Sequence, residues 1–181
     1  MKFHFVTLFL VANIAWAETP QQRAELYFSD IENLDFLGAA SHFDAEQLKE
    51  FRGMMEFYKE MPEEAQTNFV QTFFGPDQST ESLENLSDLE FFSGLFSFIM
   101  KQAEAAGGLN FDGIEILGEV KEGDDITHLV TRTTVSLGAI DMEAMEVVSL
   151  KKSGEEWRIL MSGKIKGLPQ QLRAAYAAGG Q

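Results

Sequence analysis

Apolar positions fall into two rhythms along this chain. Up to about residue 108 they recur at three- and four-residue spacing, as on helix faces; beyond it they alternate, as along strands. After Thr19-Pro20, a cap followed by proline at the first helical position, Ala24, Phe28, Ile31 and Asp35 form one stripe and Tyr27, Ile31 and Leu34 its neighbour. This predicts a helix over 21–37, ended by Gly38. Asp44-Ala45-Glu46-Gln47 reads as a capping box that leads into Leu48, Phe51, Met55 and Tyr58. Met61-Pro62 closes that helix and opens the next, whose stripe is Ala65, Phe69 and Phe73 and whose stop is Gly75-Pro76. A second capping box, Ser87-Asp88-Leu89-Glu90, opens the most apolar helix. Residues 91–100 are apolar nearly all round, so burial on more than one side is expected.

The strand half begins with 113–121, where Ile114, Ile116 and Val120 are expected on one face. Glu122-Gly123-Asp124-Asp125 is a turn. Residues 126–137 are rich in Thr and Val, but Ile126 and Val130 lie on the opposite parity from Val135 and Leu137, so a one-residue slip is expected within this strand. A turn at Gly138, a strand over 141–151, a hairpin at Lys152-Ser153-Gly154-Glu155 and a strand over 156–162 carrying Trp157, Ile159 and Met161 complete the meander. A tail helix, 168–178, would pack Leu172 and Tyr176 onto the body. The expected class is α+β: a helical half (18–108) and a strand half (111–163) in one domain, 18–181.

The first residues follow another logic. Lys2 precedes an apolar stretch over 5–14, and Ala15-Trp16-Ala17 supplies small residues where a signal peptidase reads; Glu18-Thr19-Pro20 follows. This is the order of a secretory signal peptide, 1–17, with an apolar run too short to span a membrane. An exported protein is expected, periplasmic in a Gram-negative cell and secreted otherwise, with no membrane span after cleavage.

Composition narrows the chemistry. The chain has no cysteine, which excludes disulfides, zinc-thiolate sites and thiol nucleophiles. Its 29 acidic residues outweigh 14 basic ones, a formal charge of -15, which speaks against nucleic acid as a partner. The imbalance is local: residues 18–110 hold 18 acidic and 5 basic residues, residues 111–181 hold 11 and 8. All thirteen phenylalanines after the signal lie between Phe28 and Phe111.

Helices followed by an antiparallel meander that ends in Val147-Val148-Ser149-Leu150-Lys151-Lys152, a charged turn and Glu156-Trp157-Arg158-Ile159-Leu160 resembles the nuclear-transport-factor-two-like superfamily, which includes ketosteroid isomerase and the SnoaL-like cyclases. The resemblance covers roughly 112–163. It implies a cystatin-like cone with an apolar cavity between helices and sheet, used for catalysis in some members and for binding in others. The helical half is longer than the usual cover of such a cone. No residue matches the family's aspartate base and tyrosine-containing oxyanion hole, so no catalytic residue is carried over.

Two candidate sites remain. Phe69, Phe73, Phe92, Phe96 and Met100, with other Phe and Met side chains, would either line an apolar ligand pocket or form ordinary core. His128 and Arg132 lie four apart on a strand and share a face with Ile126 and Val130. They would either bind an anionic ligand head or be satisfied locally, Arg132 by a carboxylate such as Glu146. Glu63-Glu64 and Asp124-Asp125 lack the alternating oxygen ligands of a calcium loop, so no metal and no cofactor is expected. The leading reading is an exported, non-catalytic binding protein that holds an apolar small molecule in the cone or an envelope protein partner. The alternative is a cone-type isomerase, cyclase or hydrolase.

Overall fold

The computed structural model describes residues 18–107, 109–137 and 140–179, so the expected signal segment and the turn at Gly138 lie outside the described residues. Helices precede a four-stranded antiparallel sheet, and a last helix follows it. The order is α1 (Pro20–Glu32), α2 (Phe36–Ser41), α3 (Ala45–Met55), a 3-10 turn (Glu56–Glu60), α4 (Glu63–Phe74), α5 (Thr80–Glu84), α6 (Asp88–Gly107), β1 (Leu109–Glu122), β2 (Ile126–Leu137), β3 (Ile140–Ser153), β4 (Glu156–Ile159) and α7 (Gly163–Gly179). The strands lie in the order β1-β2-β3-β4. This is the expected α+β class.

The caps behave as their residue types dictate. Thr19 and Gln22 form a reciprocal capping box at α1, and Ser87 and Glu90 form another at α6. Asp44 accepts from the Gln47 N–H at 3.2 Å, but the Gln47 side chain reaches elsewhere and accepts from the Met161 N–H at 2.6 Å, tying α3 to the chain after β4. The single helix expected over 21–37 is two. Leu34 adopts a positive φ of 59°, and Asp35 caps α2 by accepting from the Gly38 N–H at 2.9 Å. Gly38 therefore lies inside α2 and does not end α1.

The sheet departs from expectation in one instructive way. The slip expected in β2 is absent, because β2 is paired on both sides and alternates regularly against β3. Both irregularities fall in β1, between Phe111 and Gly113 and between Ile116 and Gly118. The second moves Val120 off the face shared by Ile114 and Ile116: Ile116 pairs with buried Thr131, whereas Val120 pairs with His128 and is 58% exposed. The inner face of β2 is Thr127, Leu129 and Thr131, all buried, and Val148, Leu150, Trp157 and Ile159 continue that face. The tail helix begins at Gly163, earlier than expected, and Leu172 and Tyr176 do pack on the core.

Helix α1 lies over the inner face, where the Gln21 amide meets Glu119. His42, between α2 and α3, fastens the helices to the sheet edge. Its carbonyl accepts from the Ile159 N–H at 2.8 Å, and the Asp44 N–H donates to the Ile159 carbonyl at 2.9 Å. The buried imidazole lies 3.1 Å from the Arg23 guanidinium at Nδ1 and 2.8 Å from Asp30 at Nε2. Guanidinium only donates, so Nδ1 accepts and Nε2–H donates to Asp30. Both ring nitrogens are thus engaged in structure.

Candidate functional site

The phenylalanines form the interior of the helical half. Phe69 is fully buried, stacks on Tyr58 at 5.3 Å and touches the rings of Phe57, Phe73 and Tyr176. Phe73 also meets Phe98 at 5.1 Å. Phe92, 3% exposed, packs edge-on against Phe43 and Phe51 and stacks on Phe96, which meets Phe36. Met100 is half-buried on α6. Ring pairs at these distances add to the burial of large apolar surface. Four of the five candidates therefore divide between two aromatic groups, with Phe69 and Phe73 in one and Phe92 and Phe96 in the other, and Met100 is in neither.

His128 and Arg132 lie elsewhere. Their side chains share a face, as expected, and it is the outer face of the sheet, opposite Leu129. His128 Nδ1 is 2.8 Å from the hydroxyl of Ser149, its neighbour across β3, and Nε2 is 2.9 Å from Glu122. Arg132 reaches Glu115 at 3.4 Å and Glu143 at 4.0 Å. The partner expected for Arg132, Glu146, projects from the other face and pairs with Lys164, so that pairing is corrected.

Three rows cross this outer face: Val120–His128–Ser149, Gly118–Val130–Val147 and Glu115–Arg132–Met145. They put Val120, Val147 (55% exposed) and Met145 (67% exposed) in the open, with Val130 half-buried between them. The bulged residue Leu117 is 38% exposed beside them. Gly118 has open space where a Cβ would stand, so the row through Val130 begins with a gap. Sequence reasoning missed Val120, Met145 and Val147 as surface groups. One signal was present: Met145, Val147, Val148 and Leu150 occupy both parities of one strand, so β3 carries apolar side chains on two faces.

On the inner side, burial pushes the Tyr27 hydroxyl up to about 12, with the negative charge of Glu146 adding to the effect. Glu146 is half-exposed and held by Lys164 at the surface. Among the described residues, no group of acidic or histidine side chains is arranged to hold a metal ion, and no helix is long and apolar enough to cross a membrane.

No protein-family model matches the chain, and no curated protein matches it. Among solved structures the chain is similar to an NTF2-like transpeptidase from Campylobacter jejuni, at 18% identity and a TM-score of 0.29, over 63% of this chain and 94% of that one. No activity is carried over from it.

Proposed function

We propose that this is a non-catalytic binding protein that holds another protein on the outer face of its sheet, within a fold of the nuclear-transport-factor-two-like kind. The observation that carries the reading is the contrast between two apolar populations. The Phe rings of the helical half are spent on one another, while Val120, Met145 and Val147 stand exposed together on a strand face. A contiguous apolar patch with a polar rim is what a partner protein covers. His128–Glu122 and Arg132–Glu115 supply that rim.

The setting belongs to the same proposal: residues 1–17 direct export, and the working chain starts at Glu18 with 29 acidic and 13 basic residues. Mass spectrometry of the mature N-terminus tests the export; a chain that keeps Met1 or Lys2 rejects it. The binding reading is tested by capture from the native cell with wild type and with Val120→Lys/Val147→Lys. Loss of one stoichiometric protein from the variant, with the thermal unfolding temperature unchanged, is the expected result. Equal capture by both chains would refute the face.

A further inference from the structure

We infer that the open edge of β3 pairs with the same edge of a second copy, joining two sheets into one. The sheet has two edges, and each is guarded over part of its length. On one side β1 is broken by two bulges, which twist an edge away from pairing. On the other, β4 is covered along Ile159 by His42 and Asp44, and the Arg158 guanidinium reaches the Ser41 carbonyl at 2.8 Å. But β4 pairs with β3 only from Leu150 to Ser153, and the Leu160 N–H takes the Ser149 carbonyl at 2.8 Å. Ahead of Ser149, among the described residues, β3 is paired on its β2 side alone. Residues 141–147 are all exposed.

Open edges are normally guarded by lysine, proline or unpaired charge. This one has no lysine or proline, and its acids are each engaged: Glu143 with Arg132, Glu146 with Lys164, and Asp141 with the Ser136 hydroxyl at 2.9 Å.

The sequence of the edge then selects a second copy of itself. A two-fold axis normal to the sheet must pair residues of equal parity. The open stretch, 140–148, is centred on Ala144. With the axis there, Asp141 faces Val147, Met142 faces Glu146 and Glu143 faces Met145, so each carboxylate stands opposite an apolar side chain. An axis at Glu143 or Glu146 sets a glutamate against itself, and one at Met142 sets Asp141 against Glu143. An axis at Met145 needs Ser149, whose carbonyl is already taken. The joined sheet would carry two copies of the outer apolar face side by side. The inference concerns the strand edge and stands apart from the proposal for that face.

The lack of cysteine makes the test clean. In Ala144→Cys the two new thiols meet at the axis, whereas in Met142→Cys they are separated by four residues of strand, about 13 Å, beyond the reach of a disulfide. Sedimentation should show wild type doubling in mass at high micromolar concentration. Mild oxidation should bridge Ala144→Cys and not Met142→Cys, and Ala144→Glu, which sets like charges face to face, should weaken association about tenfold. A monomer at every concentration overturns the inference. So does a dimer that Ala144→Glu leaves intact, or one that Val120→Lys abolishes, since Val120 lies on the β1 part of the sheet face and not on the β3 edge.

Discussion

Two carboxylates decide what residue 38 can be. A Cβ at Gly38 would lie 2.7 Å from Asp35 Oδ2 and 2.8 Å from Asp30 Oδ2. Asp35 is the cap of α2 and Asp30 holds His42, so neither retreats without losing its bond. Gly38→Ala is expected to destabilise the fold by about 1–2 kcal/mol in urea unfolding, despite the helix propensity it adds. Tyr27 carries a second residue-scale prediction. Its hydroxyl is raised from 10.0 to about 12, so between those values the folded chain holds a proton that the unfolded chain releases. The stability is present below pH 10 and is lost as pH rises toward 12, on the order of 2 kcal/mol. Burial raises Tyr58 and Tyr176 in the same direction. Urea unfolding from pH 9 upward should therefore show a decline that is shallower in Tyr27→Phe. At this scale the caps were legible, because a side-chain oxygen three residues before its N–H partner is a local arrangement. The α1–α2 break was not: apolar spacing runs on through Leu34, and only the positive φ there and the Asp35 cap divide the helix.

Between elements, Arg52 is the main junction that periodicity could not reveal. From α3 it donates to the carbonyls of Leu83 at 2.9 Å and Glu84 at 3.3 Å and also to that of Leu86, closing the end of α5. It pairs with Asp88 at 3.3 Å and lies 5.3 Å from the ring centre of Phe91. Carbonyls at a helix end need donors, and a forked guanidinium serves several at once. Arg52→Ala should cost about 2–3 kcal/mol and Arg52→Lys most of that, because a single ammonium cannot span the fork. Chemical denaturation of the three chains checks this. The long helices of the first half and all four strands were legible from spacing, while the short α2 and α5 were not. The position of the bulges was not, since parity within β2 gave a false cue: its inner face is built on Thr127 and Thr131, and the threonine hydroxyl can be satisfied inside the sheet, as Thr131 is by the Glu146 carbonyl at 3.3 Å. Val120 was expected beside Ile114 and Ile116 because strict alternation carries no sign of the bulge between Ile116 and Gly118.

For the molecule as a whole, charge and apolar surface are separated. Residues 18–110 carry most of the negative charge and nearly all the phenylalanine, so acidity keeps a Phe-rich helical layer in solution. The outer sheet face is more mixed: Glu115, Glu122, Asp141, Glu143 and Glu156 stand there among Arg132, His128, Lys151 and Arg158. An acidic protein is most readily approached by a partner where its field is weakest. Aromatic content could be read from composition, but its use could not. Whether a phenylalanine lines a pocket or fills a core depends on which other rings reach it, and Phe69 touches residues from the 3-10 turn, α4 and α7. The most direct test of the account is the native mass of the protein purified from its own cells. The account predicts a complex heavier than the chain by the mass of a different polypeptide, not of a second copy, released when Val120 and Val147 are both changed to lysine. A chain heavier by only a small apolar molecule, retained in that variant and lost in Phe69→Ala at a temperature where the variant stays folded, would contradict it.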